Sequence, residues 1–409
     1  MFDLSAIQEA LRLMQLDGWL LYDFRGSNVL ARRVLDLEQR AAGTRRLFYF
    51  IPAVGEPRKL VHRIESGALD HLPGKKSFYL RWQELDAGLA DALAGSKTVA
   101  MEYSPRNAIP YISRVDAGIV ELVASCGVQV VPSGDLVQLF EATWDDQQWQ
   151  MHLEAARHTV SAYDRAFGFI AQRVQSSGSV LESEVQQVIL DHFSEHNLVT
   201  SHPPIVAVGP HSGDPHYETT PSTDSAMREG DFVLIDLWAK LDQPRGVYSD
   251  LTRVGFIGQQ VPSRHEQIFQ IVAQARDAAI AVVQQAFSSG DVLCGWQVDR
   301  AARQIIDQAG YGDQFVHRTG HSIGQETHGN GANMDDLETH DERRVMPRTC
   351  FSIEPGIYLQ DFGVRSEINV FIDAQNNVHV TGGPLQSRVL PILAADVQSS
   401  APRPSGLRS

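Results

Sequence analysis

At about 150 residues per domain, a chain of 409 residues is too long for one ordinary core, and two or three domains are expected. Its apolar share of 43% and charged share of 21% are those of a globular protein, which argues against a disordered chain or a fibre. A formal charge of -15 at pH 7 argues against a general nucleic-acid binder, which needs a basic stripe.

Residues 1–13 carry Asp3, Glu9 and Arg12 among their apolar positions, so the opening does not read as a signal peptide. No window approaches the ~18 unbroken apolar residues that span a bilayer, and no membrane partner is expected. Strands are expected at 18–22, at 47–51 before Pro52, at 98–102 and at 128–131 before Pro132. Helical patterns lie between them, so residues 1–143 read as an α/β domain. Cys126, Cys294 and Cys350 form no CxxC pair. An odd, low count fits buried free thiols in a reducing cytoplasm.

A long amphipathic helix is expected from about Asp145. Trp149, Leu153, Ala156, Val160, Tyr163, Phe167 and Ile170 step by four and three onto one face. Further helices are expected at 263–287 and 295–309, the last stopped by Gly310. Strand signals fall at 205–208, 232–237, 252–257, 349–353 and 368–371. The fold class is therefore α+β, with helices on one face of a curved sheet over 144–397. The tail, 398–409, is rich in Ser, Pro and Arg and reads as disordered.

Four acids sit where apolar strands should stay apolar. Asp236 follows Phe232-Val233-Leu234-Ile235, and Asp250 opens Leu251-Thr252-Arg253-Val254. Glu354 follows Phe351-Ser352-Ile353, and Glu367 precedes Ile368-Asn369-Val370. Any one alone is an ordinary turn residue or N-cap. Four together, with His321 in a Gly-flanked loop, call for a compensating positive charge, because an unpaired buried carboxylate costs several kcal/mol. Oxygen ligands with one imidazole suit Mn²⁺, Co²⁺, Fe²⁺ or Zn²⁺. Four negative charges balance two divalent ions, which favours a dinuclear centre.

Asp236, the run Tyr248-Ser249-Asp250-Leu251-Thr252-Arg253, Arg318-Thr319-Gly320-His321-Ser322-Ile323-Gly324, Ser352-Ile353-Glu354-Pro355-Gly356-Ile357-Tyr358 and Gly363-Val364-Arg365-Ser366-Glu367 resemble, in order, the five metal-ligand motifs of the pita-bread metallopeptidases. That family includes proline dipeptidase, aminopeptidase P, methionine aminopeptidase and the metal-free creatinase. The resemblance covers about residues 145–395. Residues 1–143 resemble the creatinase-type N-terminal domain more weakly, through their length and stretches such as Met101-Glu102-Tyr103.

The resemblance implies that Asp236 chelates one ion, Asp250 and Glu367 bridge both, and His321 and Glu354 complete the second. A hydroxide shared by the ions would attack, and Glu354 would carry the proton to the leaving nitrogen. His216 would touch the substrate carbonyl, His328 would steady the tetrahedral intermediate, and Arg365 would position the site. The other histidines, His152, His158 and His265 among them, read as core or surface residues. The implied function is a metal-dependent Xaa-Pro dipeptidase with two divalent ions, Mn²⁺ first, taking a small peptide and acting as a cytoplasmic homodimer. Aminopeptidase P, acting on longer Xaa-Pro peptides, and a non-peptidase lyase on the same scaffold are the alternatives.

Three departures from the family pattern stand out. Asp236 and Asp250 are 14 residues apart, wider than usual, with the excess around 241–245 read as a longer hairpin turn. Gly329-Asn330-Gly331 follows His328 where an acid and proline are usual, and Asn369 stands where an acid is usual. For a free substrate carboxylate, Arg343, Arg344 and Arg348 are candidates, although a solvated charge cluster with Asp341 and Glu342 is the plainer reading. Arg25, Arg32 and Arg33 read as surface residues.

Overall fold

The structure is a computed structural model that describes residues 2–394. The 398–409 tail lies outside the described residues. The chain divides into two compact units, Met1–Glu141 and one that opens at Ala142.

The first unit is built on one sheet. Its strands are β1 (Gly18–Asp23), β2 (Leu47–Pro52), β3 (Arg58–His62), β4 (Lys75–Tyr79), β5 (Thr98–Met101) and β6 (Gln129–Pro132), in the order β4-β3-β2-β1-β5-β6. Helices α1 (Leu4–Leu13), α2 (Val29–Val34), α3 (Trp82–Leu93), α4 (Ala117–Ser125) and α5 (Gly134–Glu141) cover it. Successive strand side chains point to opposite faces, so an apolar run without alternation needs cover on both. That is how β1 is used: Trp19 and Leu21 enter one buried cluster, and Leu20 and Tyr22 the other. Sequence patterning missed β3 and β4. β3 carries Arg58 and the buried Lys59, whose ammonium donates to Leu69 O and Leu72 O. β4 is a half-exposed edge with two lysines, a charged edge of the kind that blocks further pairing.

In the second unit, α6 (Asp146–Ser177) starts at Asp145, whose carboxylate caps Gln148 N, and stops at Gly178, with φ 80°. Leu153 is exposed, contrary to the expected face, and His152 is buried beside it. α7 (Glu182–Glu195), missed from sequence, follows the short strand β7 (Val180–Leu181). Then come β8 (Leu198–Val199), β9 (Ile205–Val208) and β10 (Ala226–Met227), which pairs with β7. The long hairpin β11 (Phe232–Leu241) and β12 (Ser249–Phe256) follows.

Alternation along β11 sorts its residues. Val233, Ile235, Leu237, Ala239 and Leu241 pack on the α6–α7 cluster. Phe232 and Leu234 face the other way, into a cluster with α8 (Ser263–Ser289) and α9 (Gly295–Gln308). The hairpin is thus buried on both faces, with α6 packed along β11 and β12, while α8 packs on β14, β15, β16 and β18. Next come β13 (Ser322–Ile323), β14 (Cys350–Ile353), β15 (Gly356–Tyr358), β16 (Gly363–Arg365), β17 (Ile368–Ile372), β18 (Val378–Thr381) and β19 (Leu390–Pro391). They form a β13-β14-β17-β18 sheet and a β15-β16 ribbon, while β19 joins β12. No helix among the described residues is long and apolar enough to cross a membrane. Cys350 is buried, but Cys126 and Cys294 are half-exposed, so the expectation of three buried thiols holds for one.

Candidate metal centre

Register explains why the acids meet. Asp236 lies on the even face of β11, in line with Phe232 and Leu234. Its cross-strand partner is Thr252, and Asp250 pairs with Trp238. Asp236 and Asp250 are therefore diagonal neighbours on one face, a spacing of roughly 7–8 Å. The 241–245 stretch closes this hairpin, so the longer turn leaves the register of both acids intact. On the second sheet, Ile353 pairs with Ile368, which sets Glu354 and Glu367 opposite each other at one end of β14–β17. Glu367 N donates to Thr252 O and Thr252 Oγ1 to Glu367 Oε2 (2.7 Å), joining the two sheets.

His321 precedes β13. Its N–H donates to Ser352 Oγ, and Ser352 N donates back to His321 O. A Cβ at Gly320 would stand 2.0 Å from Ser352 O, so only glycine permits this approach. From α9, buried Asp299 accepts from Thr319 N and Thr319 Oγ1 and pins the loop. His321 Nε2 reaches Asp250 Oδ2 at 3.5 Å and Glu354 Oε1 at 3.3 Å. One ligand atom each from Asp250, His321 and Glu367 lie within 4.8 Å of one another.

Arg365 is buried and gathers the acids. Nε donates to Thr252 Oγ1, NH1 to Tyr358 Oη and NH2 to Asp236 Oδ2. Thr252 and Tyr358 were not assigned roles from sequence. Thr252's signal was there, in its alternation with Asp250. Asp236 Oδ1 is buried and, among the described residues, accepts no hydrogen bond, an orphaned lone pair that calls for a cation. Burial, against the pull of Arg365, raises the Asp236 carboxyl to about 7. Burial also raises Asp250, and burial with three neighbouring carboxylates pushes Glu367 up strongly. For Glu354, burial opposes ionisation, but His321, His317 and Arg365 outweigh it and hold the carboxyl low.

The two further histidines sit at the rim. His328 is exposed and edge-on to His321, ring centroids 4.2 Å apart, and His321 with desolvation lowers it to about 3. His216 is exposed, one residue beyond Pro215, whose carbonyl accepts from Arg365 NH1. Gly331 makes room for Ser322: a Cβ there would stand 2.6 Å from Ser322 Oγ, which itself accepts from Gly331 N. Asn369 clamps the backbone of Asp250, taking its N–H at 3.1 Å and donating to its carbonyl at 2.5 Å. An acid there could not supply both. Two of the three arginine candidates, Arg343 and Arg348, are engaged elsewhere. Arg343 is buried against Asp341, which corrects the solvated cluster, and Arg348 donates to Trp144 O and Asp146. Arg32 is tied to Leu37 O and Arg40 O.

Comparison with known proteins bears on what this cluster is. The model of metallopeptidase family M24 matches residues 150–374, more than half of the chain. The probable dipeptidase PepE of Mycobacterium tuberculosis is 27% identical over 351 residues, 84% of this chain and 85% of that protein. The putative dipeptidase YkvY of Bacillus subtilis is 32% identical over 263 residues, 64% of this chain and 66% of its own length. The crystal structure of dipeptidase PepE from Mycobacterium ulcerans has a TM-score of 0.67 at 23% identity, over 95% of this chain and 96% of that one. The family match spans the hairpin, the His321 loop and the β14–β17 pair that bring the acids together, and the chain belongs to the M24 metallopeptidases, with their pita-bread fold.

Proposed function

We propose that the chain is an Xaa-Pro dipeptidase whose centre holds two divalent cations on Asp236, Asp250, His321, Glu354 and Glu367. The observation that carries this is the orphaned Asp236 Oδ1 within a knot of four carboxylates whose one described guanidinium contact is Arg365. One guanidinium leaves three negative charges. One divalent ion cannot balance them, and two leave a single positive charge for an incoming polarised oxygen. The donor set of carboxylate oxygens and one imidazole fits Mn²⁺, Co²⁺, Fe²⁺ or Zn²⁺.

When bound, such ions polarise the scissile carbonyl and make water acidic near neutral pH. The chain's own residues do the rest. Glu354, kept ionised by its neighbours, takes the proton from the attacking water and returns it to the proline nitrogen. Ser352 Oγ donates to Glu354 Oε1 at 3.0 Å and fixes the carboxylate for that shuttle. His328, and His216 on the adjoining loop, donate to the carbonyl oxygen as it gains charge. Arg365 holds Asp236 and, through Thr252, Glu367 at a fixed separation. Mn²⁺ is the ion proposed for use in the cell, with the enzyme a cytoplasmic homodimer.

Relatives named as dipeptidases favour a dipeptide over a longer peptide. Steady-state hydrolysis of Ala-Pro, Leu-Pro and Ala-Pro-Ala by chelator-stripped protein, with Mn²⁺ restored, tests the reading. Dipeptide turnover is expected to exceed tripeptide turnover, to need the metal, and to fall by about 10³-fold or more in Glu354→Gln with unchanged circular dichroism. Full turnover in that variant removes Glu354 from the chemistry, and preference for the tripeptide makes the enzyme an aminopeptidase P. Turnover of dimethylsulfoniopropionate alone would point to the lyase.

A further inference from the structure

We propose that His158, His192 and His196 form a second metal site, for one borderline-soft divalent ion of the Zn²⁺ class, where α6 meets α7. One ring nitrogen from each histidine lies within 4.8 Å of the other two. His192 lies in the last turn of α7 and His196 caps its end, its ring held back against His192, and His158 comes from the facing helix. The ring centroids of His158 and His192 each lie 4.3 Å from that of His196.

Hydrogen bonds fix the tautomers. His192 Nε2 lies 3.1 Å from His158 O, and a carbonyl only accepts, so Nε2 carries the proton and Nδ1 keeps its lone pair. Ser161 Oγ, which donates to His158 O, accepts from the same His192 Nε2. His196 Nδ1 donates to His192 O at 2.8 Å, which leaves Nε2 with a lone pair. A guanidinium only donates, so Arg157 NH2, 2.9 Å from His158 Nε2, marks a third lone pair with a cation already against it. Imidazoles that ligate metals are held in this way, the second ring nitrogen given to a carbonyl.

A plain helix seam would bury aliphatic side chains here. Instead it gathers three imidazoles at tilted and edge-on angles, and burial keeps His192 neutral down to about pH 4 and lowers His158 as well. Neutral imidazoles bind a metal without first losing a proton. The charges nearby are Arg157, Glu154 and Arg165, and Arg165 is engaged by Glu195. Three nitrogen ligands with His196 half-exposed leave a coordination position open to water, as in tetrahedral Zn²⁺ sites. A bound ion would tie α6 to α7 on the odd face of β11, opposite the face that carries Asp236.

The test uses the full, chelator-stripped chain equilibrated with micromolar Zn²⁺, with bound metal counted by mass spectrometry. The wild-type chain is expected to retain one equivalent more than His196→Ala, with Mn²⁺-supported peptide turnover unchanged in the variant. Equal equivalents in the two proteins overturn the proposal. So does a parallel loss of turnover, which would assign the missing ion to the acid cluster. Should His196→Ala fail to fold, Arg157→Ala keeps all three imidazoles and carries the test. Removing the competing cation should tighten Zn²⁺ roughly tenfold, the scale of one screened charge pair near a surface, and an unchanged or weaker affinity overturns the proposal.

Discussion

Each unit buries carboxylates, and it treats them differently. In the first unit Glu102 is fully buried and accepts from Trp19 Nε1 at 2.6 Å, Asn28 Nδ2 at 2.8 Å and Ser133 Oγ at 3.0 Å. Both of its oxygens are satisfied, by neutral donors. In the second unit Asp236, Asp250, Glu354 and Glu367 crowd together around the Arg365 guanidinium, and Asp236 Oδ1 has no partner among the described residues. Burial alone therefore does not mark a functional acid. An acid whose hydrogen bonds are complete holds a fold together, whereas acids set against one another need a cation from outside.

The largest expected effect breaks the crowded side of this contrast. Arg365→Ala leaves Asp236 buried without its cation, a loss of about 3–5 kcal/mol in the metal-free protein. Chemical denaturation of stripped protein measures it, and an excess of Mn²⁺ should recover part of the loss. Next comes His152, buried in the same unit but satisfied as Glu102 is, by Tyr248 O at 2.8 Å and Thr381 Oγ1 at 2.7 Å. Burial holds it down to about 4, below the unfolded value of 6.5. A base with a depressed folded pKa contributes stability that is full above pH 6.5 and is lost as pH falls toward 4, here about 3 kcal/mol. Denaturation midpoints across that window should fall in the wild type and fall less steeply in His152→Gln, with groups such as His192 and His328 supplying the slope that remains. An equal slope in both proteins would mean that the acid sensitivity arises elsewhere. Smaller still is Glu102→Gln, which turns one acceptor into a donor facing Asn28 Nδ2. It should cost about 1–3 kcal/mol by thermal melting, by the same amount with and without Mn²⁺.

How much of this was legible in the sequence follows from the same physics. The runs 232–235 and 350–353 are apolar enough to announce buried strands, so acids at their ends stood out without any structure. The helix from Asp145 was visible because its cap and its period agree. β4 was not, because an edge strand with Lys75 and Lys76 has neither an apolar run nor clean alternation. α7 was hidden by polar residues on a short helix packed on one side. At the centre, the acids and His321 were legible, but the parts that set their separation were not. Thr252 and Tyr358 matter through contacts with Arg365, far away in sequence, and no local pattern reports a long-range hydrogen bond. Asn369 looked like a missing acid until the backbone of Asp250 was seen to use both ends of its amide.

The sharpest form of the comparison is a mutation that should make the metal-free protein more stable. Glu367 faces three other carboxylates, and its one described neutral donor is Thr252 Oγ1. Glu367→Gln keeps the shape, lets the amide oxygen accept from Thr252, and spares the fold the cost of either ionising or protonating a carboxyl set against three others. In stripped protein near pH 7 this should raise stability by about 1 kcal/mol, the scale of one relieved pair near a protein surface at high effective dielectric. With Mn²⁺ present the order should reverse, because the wild type gains binding free energy that the variant has given up. A thermal melt of both proteins, with chelator and with Mn²⁺, reads the crossing directly. If the variant is the less stable protein in chelator as well, the carboxylates are not in conflict, and the contrast with Glu102 is false.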